Sequence, residues 1–171
     1  MQEQIELRDI VFENVDSVLN LAPGQDQQQF VGPVSKTIAM AFAGNSEKYP
    51  GFLQVIYYNG TPVGIILIGR ALVEDEESEI LHKYKYVYRI MDFFIDRNYQ
   101  HRGIGKAALR LALEKVKDYP DAGRSPLYLE CHKENKVALL LYESFGFQII
   151  ESEVIGDNYV LVRFPENKII T

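Results

Sequence analysis

The chain has 171 residues, a length suited to one domain with its own core. Hydrophobic residues make up 47% and charged residues 25%, which excludes a disordered or fibrous chain. A formal charge of -6 leaves little room for the broad basic face a nucleic-acid binder needs, and its sign suits a cationic small molecule better.

Cys131 is the only cysteine in the sequence, so no internal disulfide or cysteine-based zinc cluster can form. A reducing cytoplasm is the expected compartment. The opening MQEQIELRD lacks the basic head and apolar core of a signal peptide. No apolar run approaches the ~18 residues that span a bilayer. No repeat or Pro/Gly/Ser linker interrupts the chain, so residues 1–171 are expected to form a single domain.

In chain order, residues 5–11 suit a first strand. Val15, Val18 and Leu19 fall at helical spacing within 13–21, and Pro23-Gly24 stops that helix. Ser35 is a plausible N-cap for a second helix, with Ile38, Ala39 and Phe42 on one face and Gly44-Asn45 at its end. Residues 53–58 and 63–72 are rich in branched and aromatic side chains. Asn59-Gly60 between them favours a tight hairpin, so the two runs are expected to pair antiparallel. Residues 73–85 are polar and suit a loop, with Glu74, Asp75, Glu76, Glu77 and Glu79 in succession. Residues 86–96 suit a fourth strand.

The clearest helix spans 105–118, where Leu109, Ala112, Leu113 and Val116 make one stripe and Pro120 follows. A short strand over 127–132 comes next. A helix over 135–145 is expected to turn Ala138, Leu141 and Phe145 inward, with Gly146 at its C′ position. Two last strands, 147–154 and 158–164, turn at Gly156-Asp157. This order makes a mixed α/β sheet.

Between the fourth strand and the clearest helix runs Gln100-His101-Arg102-Gly103-Ile104-Gly105-Lys106. A glycine turn that opens a helix aims several unpaired N–H groups together, and the helix dipole adds to their pull on phosphate oxygens. A Cβ at Gly103 or Gly105 would obstruct the turn or the ligand. The turn is neither a P-loop, since GxxxxGK[ST] is absent, nor a Rossmann fingerprint, since Ala108 stands where GxGxxG needs its last glycine. By itself it serves equally well as an ordinary strand–helix connection.

Downstream stands Asn135-Lys-Val-Ala138-Leu-Leu-Leu141-Tyr142-Glu-Ser-Phe-Gly146-Phe147. The pair Q-x-x-G-x-G and N-x-x-A-x-x-L-Y-x-x-x-G-F resembles the GCN5-related N-acetyltransferases, the GNAT superfamily, and the element order agrees over nearly the whole chain. Within it, Gln28-Gln-Phe30-Val31, Pro33, Ser35, Ala39, Pro62-Val63-Gly64, Asp92-Phe93-Phe94-Ile95-Asp96 and Tyr99-Gln100 are similar to bacterial spermine/spermidine acetyltransferases.

The resemblance implies a mostly antiparallel sheet of about seven strands flanked by about four helices, with acetyl-CoA in a wedge where the fourth and fifth strands splay. It implies that Phe94 and Ile95 offer backbone groups to the pantetheine arm. His101, Arg102, Gly103, Ile104, Gly105 and Lys106 would wrap the pyrophosphate, and Asn135 would contact the cofactor arm as well as capping its helix. No metal is implied. A homodimer fits, because dimers are common among such enzymes. The implied reaction is direct transfer of acetyl to a small amine, with a polyamine as the first choice. Another amine acceptor, or a non-catalytic acyl-CoA sensor, stays open.

By the same resemblance Tyr142 is the general acid. A phenol with pKa near ~10 stays protonated at neutral pH and can donate to a departing thiolate of pKa near ~8.5. The base is not fixed by the motifs. Deprotonating an aliphatic ammonium of pKa ~10.4 at pH 7 costs about 4.6 kcal/mol. Asp92, Glu130 or a water held by one of them are the candidates, with His132 a further one. Many relatives carry Glu where this chain has Met91, and Asp92 could instead be a structural partner of Arg89 or Arg102. Cys131 lacks a histidine at a recognised spacing, which argues against an acyl-enzyme. The acidic run at 74–79 and the tyrosines Tyr57, Tyr58, Tyr84, Tyr86 and Tyr88 are possible cation contacts, and equally a solvated loop and packing residues.

Overall fold

In the computed structural model, residues 4–47, 49–73 and 79–165 are described. The strands are β1 (Ile5–Arg8), β2 (Gly51–Tyr58), β3 (Thr61–Leu72), β4 (Tyr86–Ile95), β5 (Leu127–His132), β6 (Gln148–Ile155) and β7 (Asn158–Arg163). The helices are α1 (Val15–Leu19), α2 (Val34–Gly44), α3 (Ile104–Val116) and α4 (Lys136–Glu143). The strands form one sheet in the order β1-β2-β3-β4-β5-β7-β6. β4 and β5 pair in parallel at Tyr88↔Leu127 and Arg89↔Tyr128. The pairs β1–β2, β2–β3, β5–β7 and β6–β7 are antiparallel. A parallel neighbour requires a crossover of a dozen or more residues, and α3 supplies it. The mixed α/β class and the element order expected from the sequence are both present.

The turns follow from local chemistry. Asn59 and Gly60 have φ of 49° and 82°, the left-handed pair that a two-residue hairpin needs. Ile155 pairs with Asn158 around Gly156-Asp157.

The described backbone gathers into two compact units, one within residues 1–69 and 91–116 and the other within residues 70–90 and 117–171. In the first, Val18, Val34, Val55, Tyr57, Ile65 and Phe94 make a buried cluster. The α3 stripe of Leu109, Ala112, Leu113 and Val116 is buried as expected. In the second, Leu81, Val87, Tyr128, Val160 and Val162 form the cluster.

Several local expectations need correction. α1 covers only Val15–Leu19, and β1 ends at Arg8. α2 starts after Pro33, not Ser35, and buries Val34 and Thr37. Phe42, expected on one apolar face with Ile38 and Ala39, is 90% exposed. Ile38 packs against the first cluster, so the helix is rotated toward the stripe of Val34, Thr37 and Ile38. Thr37 is tolerated there because its hydroxyl is satisfied (below). In α4 the most buried residues are Leu139 and Tyr142, while Ala138, Leu141 and, beyond the helix end, Phe145 are half-buried. The expected loop contains a 3₁₀ turn at Glu79–Leu81. Residues 74–78 of the acidic run lie outside the described residues.

Candidate active site

The glycine turn lies in the first unit. His101 has φ 61° and Gly103 φ 76°, so two residues of the turn sit in the left-handed region. A Cβ built on Gly103 would meet nothing within 4 Å, so the space beside the turn is open. The α3 ladder begins with Ala107 N–H donating to the Gly103 carbonyl. The N–H groups of the first turn of a helix have no intrahelical acceptor, and they are the donors an anion needs. Ile104 is buried, while His101, Arg102 and Lys106 are exposed. No carboxylate stands between Gln100 and Lys106. Open space, N–H donors and the cations Arg102 and Lys106 fit a pyrophosphate. Arg102 donates to the Asn98 carbonyl at 3.2 Å and lies 5.5 Å over the Tyr99 ring, so its guanidinium also braces the preceding turn.

Phe94 is buried in the core and Ile95 nearly so. The Ile95 carbonyl accepts from Gln100 Nε2 at 2.9 Å. β3 comes very close here: a Cβ on Gly64 would stand 2.4 Å from the Phe94 carbonyl oxygen.

Asp92, on the same strand, is half-buried, and its Oδ2 accepts from the Thr37 hydroxyl. Burial pushes its carboxyl above the ordinary range, against the Thr37 and Phe93 hydrogen bonds and the Lys36 charge, which lower it. The hydrogen-bond partner of Asp92 is therefore Thr37 rather than Arg89 or Arg102. Met91 is exposed.

In the second unit, Asn135 caps α4: its Oδ1 accepts from Ala138 N–H at 3.2 Å. Tyr142 is buried on α4, edge-on to Phe147 with ring centroids 5.6 Å apart. Phe147 N–H donates to the Tyr142 carbonyl, so Gly146, at φ 83°, returns the chain onto its own helix. On β5, Glu130 is exposed and accepts from the Tyr128 hydroxyl at 3.1 Å and Asn158 Nδ2 at 3.4 Å. His132 Nδ1 accepts from Glu134 N–H. Cys131 is buried, and burial pushes its thiol up to about 11. Among the described residues, no group of three His, Cys, Asp or Glu side chains could hold a metal ion. None of their helices is long and apolar enough to cross a membrane.

The model of the acetyltransferase (GNAT) family matches residues 20–147, which span both motifs and the turn. The chain belongs to that family. It is an N-acetyltransferase, and its acyl donor is acetyl-CoA. This acetyltransferase is 28% identical over 144 residues to a spermine/spermidine N(1)-acetyltransferase of Bacillus subtilis (strain 168), covering 84% of this chain and 88% of that one. Over 92 residues it is 35% identical to the N-alpha-acetyltransferase RimI of Mycobacterium tuberculosis, covering 54% of this chain and 52% of the other. A crystal structure of a Pyrococcus horikoshii OT3 protein shares its fold, with a TM-score of 0.67, 20% identity and coverage of 96% and 99%.

Two features of this acetyltransferase escape sequence reasoning. Thr37 reaches Asp92 across 55 positions, and Gln100 reaches Gln27 across 73. No spacing signal links residues so far apart.

Proposed function

We propose that residues 1–171 act as one acetyltransferase domain that moves acetyl from acetyl-CoA to a primary amine of spermine or spermidine. The likeness to a spermine/spermidine N(1)-acetyltransferase over 84% of the chain carries this reading, and the net charge of -6 supports a polycationic acceptor. A reducing cytoplasm fits both.

Each residue has a role in this scheme. The turn from His101 to Lys106 holds the pyrophosphate by its N–H groups, with Lys106 and Arg102 adding charge. Phe94 and Ile95 present backbone to the pantetheine arm, and Asn135 contacts the cofactor from the start of α4. Asp92 takes the proton of the attacking amine, directly or through water. Its burial supports this, since a base whose pKa lies nearer the working pH accepts a proton more readily. The amine nitrogen bonds to the acetyl carbon, the carbon–sulfur bond breaks, and Tyr142 gives its phenolic proton to the sulfur.

A second acceptor class, a protein N-terminus, is favoured by the shorter match to RimI. One comparison separates them: kcat/KM for spermine, hexylamine and a short peptide at low and high salt. Spermine is expected to exceed both, with KM rising with salt as charge attraction is screened. Equal efficiency for spermine and hexylamine without a salt effect removes the polyamine, and a preferred peptide installs the other reading.

A further inference from the structure

Gln100 opens the glycine turn, and its amide is used inside the protein. Nε2 carries two hydrogens and places them on two acceptors, the Ile95 carbonyl at 2.9 Å and Gln27 Oε1 at 2.8 Å. Gln27 lies in the segment before α2, where its N–H and that of Gln28 both donate to the Gly24 carbonyl. A Cβ on Gly24 would stand 3.2 Å from Gln100 Oε1, so the segment packs directly on this amide.

The same segment is sutured to the end of β4 twice more. Ala22 N–H donates to Asp96 Oδ2 at 3.0 Å, and Arg97 N–H donates to the Ala22 carbonyl at 3.0 Å. Asp96 is 7% exposed, and its other oxygen accepts from Asn98 N–H and Nδ2. The chain from Asp96 to Gln100 is thus held on one side by residues 22–27. On the other side α3 is anchored by its buried stripe. Between these anchors His101 and Gly103 sit in the left-handed region, a costly conformation for histidine that persists only when its surroundings fix it.

We propose that Gln27 is a positioning residue for the pyrophosphate turn, acting through Gln100 to hold the N-terminal side of that turn at its spacing from β4. This rests on the assignment of the turn to the pyrophosphate. Gln27 does not touch the cofactor. Its Oε1 fixes the Gln100 amide, which otherwise keeps one acceptor and can rotate. The Gln of the motif is then a strut, and its partner lies 73 residues upstream.

The test measures the affinity of the full chain for coenzyme A by calorimetry, with kcat and KM alongside. Gln27→Leu is expected to weaken coenzyme A binding two- to tenfold, as one hydrogen bond allows, and to raise KM for acetyl-CoA with kcat nearly unchanged. Gln27→Asn, which keeps an amide too short to reach, should behave the same way and serves if leucine prevents folding. Gln27→Glu keeps an acceptor at the same reach and should restore affinity. Gln27→Leu/Gln100→Leu should be no weaker than Gln100→Leu alone. The proposal is overturned if Gln27→Leu and Gln27→Asn bind as wild type, if Gln27→Glu is as weak as they are, or if the double variant is additive. In each of those cases, folded Gly103→Val that no longer binds leaves the turn assignment standing. Folded Gly103→Val with full affinity overturns the assignment itself, and Gln27 with it.

Discussion

The hydroxyl of Thr37 on α2 donates to the carboxylate of Asp92 on β4. Burial dominates at Asp92 and raises its pKa above the unfolded value of ~3.9, while Thr37 works in the opposite direction. In the window between the unfolded and folded pKa the native state binds more protons, so stability falls as pH rises through that window and stays lower above it. Asp92→Asn should therefore raise the thermal midpoint at pH 7 while lowering turnover. Thr37→Val removes the stabilising donor, so the acidic limb of kcat/KM should move to higher pH, and Thr37→Ser should return it. An acceptor amine of low pKa keeps its own protonation out of that limb. A wild-type rate in Asp92→Asn would rule the carboxylate out as base.

Gly103 tests the turn more bluntly. Open space surrounds its Cβ position, so valine collides with no neighbour, yet φ 76° is strained for any branched residue. Acetyl-CoA binds only the folded protein and should raise the melting temperature of the wild type. In folded Gly103→Val that rise should vanish, as read by thermal denaturation with and without the ligand.

Tyr142→Phe preserves the edge-on packing against Phe147 and deletes the hydroxyl that would donate the proton. Coenzyme A affinity should be nearly unchanged and turnover should fall ~10²- to 10⁴-fold, the contribution of a general acid. Steady-state rates with a good acceptor decide it: a wild-type value removes Tyr142 from the chemistry.

Cys131 makes the opposite case. A thiol held at about 11 is almost wholly protonated at pH 7, and the thiolate is the nucleophilic form. Cys131→Ala should keep turnover within about twofold and lose some stability through the small cavity left in β5. Mass spectrometry after mixing with acetyl-CoA should find no acetyl group on this residue, and a stoichiometric acetyl adduct there would reverse the assignment.

The element order was legible because each piece has a local cause: the Asn59-Gly60 turn, the α3 stripe, and the Asn135 cap. The face of α2 was not. Ile38, Ala39 and Phe42 form as good a stripe as Val34, Thr37 and Ile38, and only tertiary partners choose between them. The choice put Phe42 in solvent and made Thr37 a donor to Asp92. The motifs likewise located the turn and Tyr142 but not the struts behind them, because a hydrogen bond between residues 27 and 100 leaves no periodic trace.

Gly64 has one more consequence. Its missing side chain lets the Phe94 carbonyl approach β3 to within what would be a 2.4 Å clash, and the Val63 carbonyl next to it accepts from Asp96 N–H at 2.7 Å. The hairpin strand is therefore a template against which the last residues of β4 are cast, and a single methyl group at position 64 would be copied into the backbone of Phe94 and Ile95. A position with no chemistry of its own thus governs how accurately the end of β4 is shaped, the edge proposed above to meet the pantetheine arm.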